Sequence, residues 1–267
     1  MGRKNFLNKL LEPAGITVFR TQSSEATTFM YKNMSQLRKR LIHKHFLDGD
    51  MSISQGPFKG LKLPQYGAWR DGDLAAKLIG SYEKELHPYL TKIIDQRPSA
   101  LINIGASEGY YAIGLKRLLP ETSVFAYDIH EGSRKALKDC AKKNDVTVQN
   151  LTDFSFSALD HFSQYATLTF IVDCEGCECN IECISKDIIS RSTFLIELHD
   201  LFVPGVTKTL KNFLAPTHNL TLIEEEPRNS RDYPEISQMS GIDRMLLTCE
   251  FRATPMHWLY AEPRVSQ

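Results

Sequence analysis

The sequence predicts an α/β protein: a doubly wound, mostly parallel sheet of seven strands preceded by a helical appendage at the N-terminus. Three observations carry that expectation. From Ser99 onward, short apolar runs alternate with amphipathic stretches of helical period; the first run, 100–104, ends in a glycine turn; and the second, 124–127, ends in Asp128. Alternation at this spacing means βαβ units with right-handed crossovers, because parallel neighbours need a long connection, usually a helix.

Ahead of the sheet, Phe6, Leu7, Leu10 and Leu11 share one helical face beside Arg3, Lys4 and Lys9, and Pro13 with Gly15 ends the segment. The stretch 35–46 repeats the theme with Leu37, Leu41, Ile42 and Phe46. Residues 1–47 carry nine basic side chains against Glu12 and Glu25. They read as solvated helices packing on the main domain, with a peripheral contact to an anionic membrane surface as the alternative. The stretch 49–72, rich in Gly and Pro, reads as an irregular approach segment. Asp73 is placed as the cap of a helix running through Leu74, Leu78, Ile79, Tyr82 and Leu86, interrupted near Pro88 and resumed through Ile93. The expected division is an appendage over 1–72 and a main domain over 73–267.

Within that domain the pattern predicts strands at 100–104, 124–127, 146–151, 168–172 and 194–198, with helices at 110–119, 133–143, 158–165 and a short one after Gly176. A helix at 206–214 and two closing strands at 220–223 and 257–261 complete it. The polar connection between the closing strands, about 224–256, reads as a lid over an acceptor site. Arg228, Arg231, Tyr233 and Arg252 are its candidate substrate contacts.

Composition narrows the functional classes. The chain has 267 residues, 42% hydrophobic and 24% charged, which is a globular balance. Lys plus Arg equals Asp plus Glu at 32 each, so the charge offers no case for a nucleic-acid partner. No run of 18 apolar residues exists and the N-terminus lacks the apolar core of a secretory signal, so a cytoplasmic location is expected. Four of the six cysteines, Cys174, Cys177, Cys179 and Cys183, crowd together, while Cys140 and Cys249 stand apart. They do not form the two separated knuckles of a zinc site, and small buried thiols are expected instead.

The turn at Gly105-Ala-Ser-Glu-Gly109 follows a buried strand and opens a helix, the usual ligand position at the carboxyl end of a parallel sheet. Asp128 lies about 20 residues on, where a carboxylate can take both ribose hydroxyls of a nucleoside. NAD would want three glycines as G-x-G-x-x-G, and only Gly105 and Gly109 are present. Glu108 would repel a pyrophosphate yet suits a sulfonium and an α-amino group, which favours S-adenosylmethionine over NAD. A glycine turn without a ligand is the remaining alternative.

With these residues in view, the sequence resembles the class I S-adenosylmethionine-dependent methyltransferases, whose sheet is Rossmann-like, and more narrowly the FkbM-like family. The similarity rests on Asn103-Ile-Gly-Ala-Ser-Glu-Gly-Tyr-Tyr111, on Ala126-Tyr-Asp-Ile129, and on Ile171-Val-Asp-Cys-Glu-Gly176 with Glu178. It implies O-methylation with S-adenosylhomocysteine as product. Carried over, it implies that Asn103, Gly105, Ala106, Ser107, Glu108, Gly109 and Tyr110 cradle the amino-acid part of the cofactor. Asp128 and Ile129 would meet the ribose and its neighbourhood, Asp153 the adenine amino group, and Asp173 the reacting methyl. Asn103 departs from the family, which often has an acidic residue there.

Methyl transfer to a hydroxyl needs positioning and a base for the departing proton. Asp173 and Glu175 follow the fourth strand and His199 ends the fifth, so a parallel sheet brings them toward one cleft. His199 or Asp173 is the expected base, and Glu175 either joins them or fixes the turn at Gly176. Asp173, Glu175, His199 and Asp200 also have the ligand types for a divalent metal, though their spacing is no ligand signature. The resulting expectation is methyl transfer to an oxygen of a small-molecule or glycan-like acceptor. An NAD-dependent oxidoreductase and a non-catalytic S-adenosylmethionine-binding module are the competing readings.

Overall fold

A computed structural model describes residues 24–46, 49–65, 73–151, 155–252 and 254–264. The expected helix around 6–11 and Asp153 lie outside the described residues. Seven strands form one sheet: β1 Ala100–Ile104, β2 Ser123–Tyr127, β3 Gln149–Leu151, β4 Leu168–Val172, β5 Ser192–Leu198, β6 His218–Glu224 and β7 His257–Pro263. Their order is β3-β2-β1-β4-β5-β7-β6. β1 pairs in parallel with β2 and β4, as do β2 with β3 and β4 with β5, while β7 runs antiparallel between β5 and β6. The fold is thus Rossmann-like α/β, with the reversal of strand order falling between β1 and β4. That switch point opens a crevice beyond the strand carboxyl ends.

β1, β4 and β5 are buried along their whole length, as a central parallel strand covered on both faces must be. Alternate side chains feed two cores. On one face Leu101, Ala126, Ile171 and Leu195 pack with α3 His87–Gln96, α4 Tyr110–Leu118, α5 Glu131–Lys143 and α8 Gly241–Thr248. On the other, Ile102, Phe125, Phe170 and Ile196 pack with α6 Lys186–Ser190 and α7 Val206–Leu214. The approach segment joins the first core through Ile53, Phe58, Leu61 and Leu63, each at most 2% exposed.

α1 Ser24–Phe46 buries Leu41 and Ile42 and lays the Arg38 guanidinium 4.1 Å over the Phe251 ring, while Phe29, Met30, Tyr31 and Leu37 stay exposed. No helix among the described residues is long and apolar enough to cross a membrane.

The helix expected from Asp73 onward differs in two ways. α2 Leu74–Ile79 ends at Gly80, whose φ of +75° and close approach to the Gln55 carbonyl leave no room for a Cβ. Pro88 then opens α3 instead of interrupting a helix, since its missing N–H costs nothing in a first turn. Asp73 makes no cap hydrogen bond and pairs with Lys77 one turn on. The 158–165 helix is a 3₁₀ segment, Phe156–Gln164, and β3 is shorter than the stretch that suggested it.

Candidate functional site

Two clefts open at the carboxyl ends of the parallel strands. The first, about 560 Å³, is walled by Gly105, Tyr127, Asp128, Ile129, Ser155, Phe156 and Cys177. The second, about 570 Å³, is walled by Tyr82, Glu197, His199, Leu201, Phe202, Phe251, Arg252 and Met256. Asp173 and Glu175 line both.

Asp128 ends β2, and both of its carboxylate oxygens are fixed by backbone donors: the Ser107 N–H at 2.9 Å and the His130 N–H at 2.8 Å. An ionised carboxylate can accept about four hydrogen bonds, so acceptor capacity remains on the cleft side for a pair of hydroxyls. Ile129, 74% exposed, and Phe156 flank it and offer an apolar slot for a flat ring. The donor set of this cleft therefore fits a nucleoside.

The glycines of the first turn have a different cause from the one expected. Gly105, at φ +78°, presses its backbone against the Asp173 carbonyl, where a Cβ would collide; Gly109, at φ +94°, faces Leu137 and Ile113. Chain packing alone demands both, so the glycine pair carries no evidence of a ligand. Glu108 is buried, salt-bridged to Lys77 at 2.5 Å and bonded by the Ser107 hydroxyl at 2.8 Å. Lys77 is shared with Asp73, and Glu108 faces that ammonium inside the protein instead of lining the first cleft, so it does not touch a ligand held there. Burial resists ionisation of Glu108, but Lys77 outweighs it and holds the carboxyl below its ordinary range. Asn103 is locked inside the sheet, and Tyr110 is enclosed by Phe58, Tyr82 and Tyr111. Of the residues expected at the cofactor, the structure brings Gly105, Asp128, Ile129 and Asp173 to the cleft walls. Ala106, Ser107 and Gly109 form the turn behind them.

His199, 1% exposed, stands at the floor of the second cleft. Its Nδ1 lies 2.7 Å from Oε1 of Glu178, a fully buried carboxylate that also accepts the Cys174 and Gly176 N–H groups. Its Nε2 faces Oδ1 of Asp173 at 3.7 Å, Oε2 of Glu175 at 3.4 Å and Oε2 of Glu197 at 3.5 Å. Burial opposes protonation of the imidazole, but the hydrogen bond to Glu178 and the charges of Glu197, Glu178 and Glu175 outweigh it, and the pKa is raised. Burial, then the charge of Glu197 and a hydrogen bond to it, then Glu83 and Glu175, push the Asp173 carboxyl well above the usual range. Asp200 is not part of the cluster. Its oxygens accept from the Gly205 N–H and the Thr207 hydroxyl and shape the start of α7.

The expected acceptor contacts separate. Arg252 reaches the second cleft, but its guanidinium is engaged by Glu83, Glu197 and Glu250. Arg228 is buried between Glu85 and Glu250. Tyr233 is 2% exposed in the core beside Ile236, and Arg231 lies on the surface, so neither lines the cleft. The 224–256 segment is pinned by these ion pairs and by α8, whose Ser240 hydroxyl oxygen accepts the Asp243 N–H. The cysteine cluster also differs from expectation: Cys174 and Cys177 form a disulfide in the first cleft's wall, Cys183 is an exposed thiol, and of the free cysteines only Cys140 is buried.

Sequence reasoning assigned no role to Glu178, Glu197 or Glu83. Glu178 was visible as the last residue of the Asp-x-Glu-Gly-x-Glu run, and Glu197 as the carboxylate two residues before His199. Glu83 carried no signal.

No protein-family model matches the chain, and no curated protein matches its sequence. Solved structures resemble it in chain path. A precorrin-6y C5,15-methyltransferase from Geobacter metallireducens is 12% identical, covering 67% of this chain and 89% of that one, with a TM-score of 0.46. An O-methyltransferase from Bacillus cereus in complex with SAH is 12% identical, covering 66% and 78%, with a TM-score of 0.45. An rRNA methylase from Streptococcus thermophilus is 14% identical, covering 69% and 99%, with a TM-score of 0.45. At such identities and scores these likenesses decide neither reaction, cofactor nor acceptor, which rest on the residues themselves.

Proposed function

We propose that the chain is an S-adenosylmethionine-dependent methyltransferase acting on an oxygen of a small-molecule or glycan-like acceptor. The observation that carries this is the shared wall: Asp173 and Glu175 line both the nucleoside-compatible cleft and the second cleft. A donor and an acceptor held in the two would meet across the Asp173 carboxylate, the positioning that in-line transfer requires.

Asp128 holds the ribose hydroxyls, and Ile129 with Phe156 brackets the base. When bound, the cofactor supplies an electrophilic methyl on a sulfonium, a cation that the carboxylates of Asp173 and Glu175 favour. The cofactor would give that methyl to the acceptor oxygen and keep the electron pair of its S–C bond, leaving as a neutral thioether. Asp173, which lines both clefts, takes the hydroxyl proton. Leu201, Phe202, Phe251 and Met256 give the acceptor an apolar wall.

Calorimetric titration with S-adenosylmethionine, S-adenosylhomocysteine and NAD, on the wild type and on Asp128→Ala, tests the reading. Both adenosyl ligands should bind, and the variant should weaken them at least about tenfold, the loss of a bidentate charge-assisted contact. Binding of NAD alone, or of none of the three, overturns it.

A further inference from the structure

The spacing around His199 Nε2 is not that of hydrogen bonds. Three carboxylate oxygens surround it at 3.4–3.7 Å, and no hydrogen bond forms to any of them. Separations of about 3.0–3.6 Å are what neighbouring ligand atoms show when each sits about 2.1 Å from one ion. The candidate atoms of Asp173, Glu175 and His199 all lie within 4.8 Å of one another.

A second observation concerns the direction of the imidazole. Glu178 is buried and its Oε1 already accepts two backbone N–H groups, so the Nδ1 that meets it carries the hydrogen. Nε2, on a side chain 2% exposed, is thereby aimed into the carboxylates without a hydrogen bond to any of them, an arrangement that a proton on Nε2 or a cation held between them relieves. A carboxylate gripping the far nitrogen of a histidine is also how metal-bound imidazoles are oriented.

We propose that Asp173, Glu175 and His199 bind a divalent cation at the junction of the two clefts, with Glu178 as the positioning carboxylate. One imidazole and two carboxylates favour a borderline ion such as Mn²⁺, Fe²⁺ or Zn²⁺ over Ca²⁺. The ion faces the second cleft, where it would bind a hydroxyl oxygen of the acceptor and make that hydroxyl acidic enough to lose its proton to water. Asp173 then serves as ligand and the base role passes to solvent. That purpose rests on the methyltransferase reading; the binding does not.

The test uses the full chain, stripped with a chelator and exchanged into metal-free buffer, without cofactor. Mn²⁺ is the probe because it has little preference for the nearby thiols. Calorimetry, with electron paramagnetic resonance of free Mn²⁺, should find one ion per chain. Asp173→Asn, or the partly exposed Glu175→Gln if the first does not fold, should weaken binding at least about 100-fold, and Glu178→Gln about 10–100-fold with a melting temperature lowered by only a few degrees. Asp200→Asn should bind as the wild type does. No binding by the wild type, unchanged binding in Asp173→Asn and Glu175→Gln, or an equal loss in Asp200→Asn overturns the proposal. S-adenosylmethionine binding measured in parallel separates the two ideas: binding of the nucleoside without Mn²⁺ binding sinks the ion alone, and the converse sinks the methyltransferase reading alone.

Discussion

His199 Nδ1 lies 2.7 Å from Glu178 Oε1, and the two side chains are 2% and 0% exposed. One oxygen thus gathers an imidazole and two backbone N–H groups, fixing the loop after β4 to the end of β5. Glu178→Ala strands these donors and should cost about 3 kcal/mol, whereas Glu178→Gln keeps one acceptor oxygen and should cost about 1 kcal/mol. Urea unfolding of both variants checks this. Equal losses would mean that the hydrogen bonds are not what holds the loop.

Gly105 and Gly109 share a positive φ but not a neighbour. The Cβ of Gly105→Ala meets backbone at Asp173, which cannot yield, while that of Gly109→Ala meets Leu137 Cδ1 at 2.7 Å, the end of a flexible side chain. Gly105→Ala should destabilise by more than about 3 kcal/mol and Gly109→Ala by about 1–2 kcal/mol. The same unfolding midpoint for both would refute the close approach of the β1 turn to the β4 turn.

Arg252 is the cation shared by Glu83, Glu197 and Glu250, each of which is almost fully buried. Arg252→Met removes one partner and leaves buried charge, at a cost of about 3–5 kcal/mol. Pairing Arg252→Met with Glu83→Gln and Glu197→Gln should recover part of that loss. A triple variant no more stable than the single one would show that charge is not the cause.

His87 gives a pH signature. Burial first, helped by the cations of Arg228 and Lys84, pushes its pKa down to about 4 from the ordinary 6.5. Between those values the unfolded chain binds a proton that the folded chain does not, so stability falls as pH falls from 6.5 toward 4, by about 3 kcal/mol in full. His218, lowered by burial too, has the same sign, and His199, raised, has the opposite one. The test is therefore the difference between wild type and His87→Gln, which should shrink as pH falls. A pH-independent difference would remove His87 from the linkage.

Much of the sheet was legible because β1, β4 and β5 are buried on both faces and read as unbroken apolar runs, while the helices between them keep one apolar stripe. Asp128 was legible for a related reason: the strand fixes its position, the turn before α4 holds one of its oxygens and the His130 N–H just past β2 holds the other. The break at Gly80 was not, because it depends on the Gln55 carbonyl, 25 residues earlier in the chain. The partners of Arg252 were equally hidden, since Glu83 lies 169 residues away and reaches it only across the folded sheet.

By itself the sequence determined the α/β alternation, the strand-end positions of Asp128, Asp173, Glu175 and His199, and hence the edge of the sheet where chemistry can occur. Only the tertiary structure decided that Glu108 pairs with Lys77, that Arg228 is held between Glu85 and Glu250 while Tyr233 is buried, and that Glu178 aims His199 into a ring of carboxylates. Periodicity is local and survives in a string of letters. Charge compensation and side-chain direction depend on which distant residues the fold brings within about 4 Å, and in a low-dielectric interior that proximity outweighs residue type.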